Sequence, residues 1–116
     1  MIERLQIYKD TYRLTDMMYK AMPQMAKTHR HVIGARLLDT ALDLFKWISL
    51  ANQTRDKQER LKYLDCYLCS FEQLRTYLRI CNDNALFKIS TIVNMQQITT
   101  ALGKQLQGWR SATSRT

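Results

Sequence analysis

Apolar residues recur along this chain at alternating three- and four-residue steps, interrupted by short polar stretches. That spacing gathers them on one side of an α-helix. From about residue 3 to 22 two such lines run side by side. One is Leu5, Tyr8, Tyr12, Thr15, Tyr19 and Met22, and the other is Ile7, Leu14, Met18 and Met25. Pro23 disfavours helical geometry at Met22, which predicts the end of the first helix there. Gln24 to His31 is predicted as a loop, with Thr28 capping the next helix through its hydroxyl. Helix two then extends to about Ala51 along Gly34, Leu37/Leu38, Ala41, Phe45 and Ile48. Arg36, Asp39, Asp43 and Lys46 occupy its opposite side, spaced so that they can pair along the surface.

Asn52, Gln53 and Thr54 make the next turn, and Asp56 with Glu59 has the spacing of a capping box. Helix three carries two adjacent apolar lines. Leu61, Leu64, Leu68, Phe71 and Leu78 form one, and Tyr63, Tyr67, Leu74, Tyr77 and Cys81 the other. A face wider than one stripe predicts two neighbours. Asn82 to Asn84 form the third turn, with Asn84 as a cap. Helix four holds Leu86, Ile89, Ile92/Val93, Met95/Gln96, Thr99, Leu102, Leu106 and Trp109. Four long helices with short connections predict an all-α, antiparallel up-down-up-down four-helix bundle over residues 1–110, followed by a flexible polar tail at residues 111–116.

A chain of 116 residues is one domain large enough to bury a core. Its 3 glycines and 1 proline suit long helices. No run approaches the roughly 18 apolar residues of a membrane span, and the first residues lack the plan of a secretory signal. The three cysteines, Cys66, Cys69 and Cys81, are therefore expected as free thiols of a cytoplasmic protein.

Charge changes the picture more. The formal net charge is +8. From Asn84 to Thr116 the charges are Lys88, Lys104, Arg110 and Arg115 with no acid, so this segment supplies half of the excess. Such a surface calls for an acidic partner, nucleic acid first.

Catalytic chemistry finds less support. Cys66 and Cys69 are spaced like half of a zinc site, but no second pair completes it. His29, Arg30 and His31 lie in the predicted loop without an evident partner, which favours a polar loop or phosphate contact over a ligand or base. Asp39 and Asp43 are flanked by Arg36 and Lys46, which favours a solvated face over a catalytic pair. No phosphate-binding glycine loop or nucleophile elbow is present. No catalytic residue, metal or cofactor is expected. Arg75 and Arg79, one turn apart on helix three, suit phosphate contact better. Arg75 falls on the apolar line, where it must pair or face a groove. Tyr63, Tyr67, Leu74 and Tyr77 are expected at a subunit interface rather than stacked on bases.

From Tyr12 to Arg110 the chain resembles the accessory variability determinant proteins of diversity-generating retroelements. These are grouped with the four-helix-bundle proteins encoded by intervening sequences of bacterial large ribosomal RNA. Met22-Pro23-Gln24-Met25-Ala26-Lys27-Thr28-His29-Arg30 is similar to the family's first turn. The stretch from Ile33 to Leu44 resembles its helix-two signature. Arg55-Asp56-Lys57 with Leu61 and Leu64 resembles the start of helix three, and Leu74 to Ile80 its end. Leu102 to Trp109 is similar to the C-terminal ending. His31 departs from the pattern, which has an aromatic at that place. The resemblance implies a non-catalytic pentameric ring with a basic surface. It also implies binding to the element's reverse transcriptase and to template RNA, with DNA as an alternative, and no membrane. It carries over Arg36, Arg75, Arg79 and Lys104 as nucleic-acid contacts, and the charge pattern adds Lys88 and Arg110. A ribosomal intervening-sequence protein and a plain protein-interaction module remain the rival readings.

Overall fold

The computed structural model describes residues 5–116. Helix α1 spans Gln6–Ala21, α2 Ala35–Gln53, α3 Lys57–Asp83 and α4 Ile89–Arg115. They form an antiparallel four-helix bundle of 47 × 23 × 22 Å. In cross-section α1 packs on α2 and α4, while α3 completes the square against the same two helices. The core is aliphatic and continuous. Leu14 and Met18 from α1 meet Leu37, Leu44 and Ile48 from α2, Leu64, Phe71 and Leu74 from α3, and Met95, Leu102 and Leu106 from α4. Each such burial contributes about 1.5–3 kcal/mol.

The period of each helix was legible, but not always which line faces inward. In α1 the core takes Ile7, Leu14 and Met18 of the second line, together with Ala21, and Met25 beyond the helix is buried too. Tyr12 and Tyr19 of the first line are 58% and 67% exposed. They border a groove of about 380 Å³ on the α1–α2 edge, lined also by Leu38, Leu42 and Phe45. The start of helix one near residue 3 lies outside the described residues. In α3 both lines contribute to the core. Tyr67 and Leu74 are 1% and 0% exposed inside the subunit, so they have no surface left for a neighbouring copy. This corrects their expected interface role, while Tyr63 and Tyr77 stay half-buried at the edge of the core.

The connections differ in detail from the expectation. Helix α1 does end before Pro23, and Met22–Gln24 makes one 3-10 turn. The expected loop from Gln24 to His31 is instead largely helical. A turn at Lys27–His29 runs into a π-turn at Arg30–Gly34 and straight on into α2. No glycine or proline stands between Gln24 and Ile33 to stop it. Thr28 therefore lies inside the helical turn, and the extended residue Ala26 precedes it without a side-chain cap.

At the start of α3, Asp56 is the N-cap residue without a side-chain bond. Thr54 does the capping work instead: its hydroxyl donates to Glu59 at 2.9 Å and accepts from the Asp56 N–H at 3.2 Å. Arg60 reaches back to the carbonyls of Ala51 and Thr54 and satisfies the end of α2. Asn84, expected to cap α4, instead closes α3, where its amide donates to the Ile80 carbonyl at 2.9 Å. Lys88 holds the N-cap position of α4. Finally, α4 does not stop at Arg110. It runs to Arg115, and Thr113, 5% exposed, donates its hydroxyl to the Trp109 carbonyl.

Candidate nucleic-acid interface

Arg75 and Arg79 project from α3 into a groove shared with α4. The groove measures about 500 Å³ and is lined by Glu72, Thr76, Asn82, Gln96, Thr99 and Thr100 among others. Four residues of separation place both guanidinium groups on one side of the helix. Arg75 is not buried despite its place on an apolar line. Its guanidinium lies over the Phe71 ring, the central carbon 5.8 Å from the ring centre, while the side chain stays largely exposed. There it donates to Glu72 at 3.2 Å. Arg79 lies 4.0 Å from Asp83. Exposed pairs of this kind contribute about 0–1 kcal/mol, little enough for a phosphate to replace the carboxylate.

The remaining predicted cations are spread over the molecule. Arg36 is exposed on the first turn of α2, and Lys88 is exposed where α4 begins. Lys104 is exposed midway along α4. Arg110 is engaged within the protein: its Nε donates to Asp65 of α3 at 2.8 Å. That hydrogen bond and the carboxylate charge raise the guanidinium further above its ordinary value. The acid-free sequence of α4 hence does not leave all of its cations unpartnered, because α3 supplies the acid. The six predicted contacts form no single cluster. Arg75 and Arg79 share the α3–α4 groove, Arg36 and Lys88 lie toward one end, and Lys104 and Arg110 lie lower on α4. Lys27 and Arg30 are exposed at the same end as Lys88; the sequence marked Arg30, with His29 and His31, for a polar loop or phosphate contact but did not single out Lys27 or join the two. The run without acid from Met17 to Leu38 was the signal that could have found them.

The other candidates occupy ordinary structural places. Asp39 and Asp43 are exposed on α2, and Lys46 lies over the Trp47 ring at 4.8 Å rather than beside them. His29 and His31 are exposed. Cys66 is half-buried and Cys69 exposed. Cys81 is buried, about 20 Å further along the same helix at the α-helical rise. Burial pushes its thiol up to about 11, which keeps it protonated and suited to packing. None of the described helices is long and apolar enough to cross a membrane.

A buried polar set lies elsewhere, between α1 and its neighbours. Asp10, 4% exposed, accepts from Gln105 at 2.7 Å, Gln6 at 3.1 Å and Arg13 at 3.1 Å. Burial alone would raise its carboxyl, but these donors and the Arg13 charge hold it below its ordinary value. This set ties α1 to α4 and fixes their register.

Fold and charge together define a small, basic four-helix-bundle protein with arginines along its grooves. The chain belongs to the bAvd-like family, the bacterial accessory variability determinant proteins, whose family model matches residues 5–113. Comparison with curated proteins returned no match.

Proposed function

We propose that this protein is a non-enzymatic accessory subunit of a diversity-generating retroelement. In this reading it binds the element's template RNA, holds it beside the reverse transcriptase in the cytoplasm, and so assists mutagenic cDNA synthesis. It acts as a ring of subunits, five by resemblance to the family. The family match over residues 5–113 carries the reading. The net charge of +8 supports the nucleic-acid part, because phosphate contacts need cations and little else. Surface suited to a ring contact is available on the α1–α2 edge, where Tyr12, Tyr19 and Leu42 are more than half exposed. That edge takes over the role expected of Tyr67 and Leu74.

The test is a gentle pull-down of the tagged protein from its own host. Co-purifying proteins are identified and the bound RNA is sequenced. Recovery of a reverse transcriptase with one discrete non-ribosomal RNA is the expected result. Recovery of ribosomal particles, or of neither, would move the assignment to the intervening-sequence branch or to an interaction module. Native mass settles the ring separately: a monomer at micromolar concentration removes it.

A further inference from the structure

We infer that the nucleic-acid backbone is gripped at one end of the bundle, where the α1–α2 connection meets the start of α4. This rests on the nucleic-acid binding proposed above. The first observation is how unevenly charge is distributed. Residues 17–38 hold Lys20, Lys27, Arg30 and Arg36 with no Asp or Glu, and residues 84–116 hold four cations with none. The rest of the chain contains ten basic and ten acidic residues. These two stretches therefore carry the whole formal charge of +8.

The fold joins them at this end. Gln24, in the 3-10 turn after α1, accepts the backbone N–H of Lys88 at 2.8 Å. Its amide also donates to the Thr91 hydroxyl at 3.0 Å. The segment holding Lys27 and Arg30 is thereby tied to the first turn of α4, about 64 residues away in sequence.

The state of the cations differs from that in the groove. Arg75, Arg79 and Arg110 each have a carboxylate within 4.0 Å. Lys27, Arg30, Arg36 and Lys88 are all exposed, and among the described residues none of them is in an ion pair. Exposed His29 and His31 flank Arg30 and add ring N–H donors. Dispersed point charges without a paired carboxylate suit a flexible chain of phosphates. An acidic protein face would favour aromatic anchors, whereas the large apolar side chains exposed within residues 22–34 and 84–92 are the aliphatics Val32 and Ile89.

The test compares two triple charge reversals that alter net charge equally. One is Lys27→Glu with Arg30→Glu and Lys88→Glu. The other, a control on the first turns of α3 and the turn before it, is Arg55→Glu with Lys57→Glu and Lys62→Glu, all exposed. Binding of a labelled single-stranded RNA of mixed sequence is followed by anisotropy across a salt series. The end variant should weaken by about tenfold or more, and its salt slope should fall by about 2, for three phosphate contacts on single-stranded RNA. The control should stay within about threefold of the parent. Acidic residues near helix starts are compatible with the helix dipole, so the end variant should keep its helical signal and thermal midpoint. If it does not, the Lys27→Gln, Arg30→Gln, Lys88→Gln triple provides the reading. Equal losses in both variants, or no loss at the end, would overturn the inference while leaving RNA binding itself in place. RNA binding retained with loss of the reverse transcriptase would make the end a protein contact and overturn it too. Failure of the unaltered protein to bind RNA would instead sink the nucleic-acid reading it rests on.

Discussion

The hydroxyl of Tyr67 lies 3.0 Å from that of Thr11, and both side chains are buried. The bond crosses the diagonal of the bundle and links α1 to α3, which otherwise meet mainly through their common neighbours. Tyr67 is a component of the subunit's interior, and its ring stacks on Phe71 with centroids 6.0 Å apart. Tyr67→Phe should therefore lower unfolding stability by about 1–2 kcal/mol, because the Thr11 hydroxyl loses its partner in a dry site. Urea unfolding reads the loss. Native mass should not change, and a selective fall in mass at undiminished stability would return Tyr67 to a subunit contact.

Asp10 makes the fold acid-sensitive. Its carboxyl is held below the ordinary value of 3.8. A group with a lowered native pKa stabilises the fold fully above its unfolded value, and the contribution disappears as pH falls through the native one. The parent should thus lose stability from about pH 4 downward relative to Asp10→Asn. Thermal midpoints measured between about pH 2 and 7 give the comparison. Parallel curves for the two proteins would mean that Asp10 titrates alike folded and unfolded.

Ala85 occupies a conformation that favours glycine. Its φ is 54°, just past the end of α3. The Leu86 N–H bonds the Cys81 carbonyl at 2.9 Å, and the Ala85 N–H bonds that of Asn82 at 3.1 Å, which together make a Schellman ending. A Cβ in this region costs about 1–2 kcal/mol. Ala85→Gly should raise stability by about 0.5–1 kcal/mol once the added freedom of the unfolded chain is subtracted. Chemical denaturation with an unchanged m-value is the check, and a destabilised glycine variant would mean that the left-handed turn is absent in solution.

Arg110 and Asp65 offer a way to separate charge from availability. If the 2.8 Å bond holds Arg110 in solution, Arg110→Gln should change RNA affinity by less than about twofold. Asp65→Asn should strengthen binding by about two- to threefold, since it releases a cation and removes a repelling carboxylate. A large loss on Arg110→Gln would show that the arginine swings away from Asp65 to reach RNA.

How much of this was legible in the sequence depends on the range of each interaction. The number and order of helices followed from local periodicity and from Pro23, and the structure keeps them. In α1 the tyrosine line and the Leu14–Met18 line repeat equally well, so only the packing of neighbouring helices decides between them. Asn84 was misplaced because a helix ending with alanine in the left-handed position carries no glycine to announce it. The tie between Arg110 and Asp65 spans 45 residues. No local pattern contains such a pairing, so an unopposed fourth helix was the natural but incomplete reading. The acid-free run around Lys27 and Arg30 was visible all along. Its meeting with Lys88 was not, because that depends on Gln24, whose side chain bridges the two connections.

The π-turn at Arg30–Gly34 accommodates one residue more than an α-helical turn between the short turn at Lys27–His29 and α2. Gly34 lies where an added Cβ would stand 3.1 Å from the Met22 sulfur and 3.2 Å from that of Met25, so this bend is seated against two flexible side chains. Each residue advances a helix by about 100°. Loss of one residue inside the turn would restore a regular α-helix and leave helix content almost unchanged, and because the five residues of a π-turn cover about the same angle as four of an α-helix, Lys27, Arg30 and the buried Met25 would keep their directions. Related chains shorter by one residue at this point would hence share both the bundle and the direction of its cations, so that the turn absorbs a change in chain length without disturbing the surface at this end.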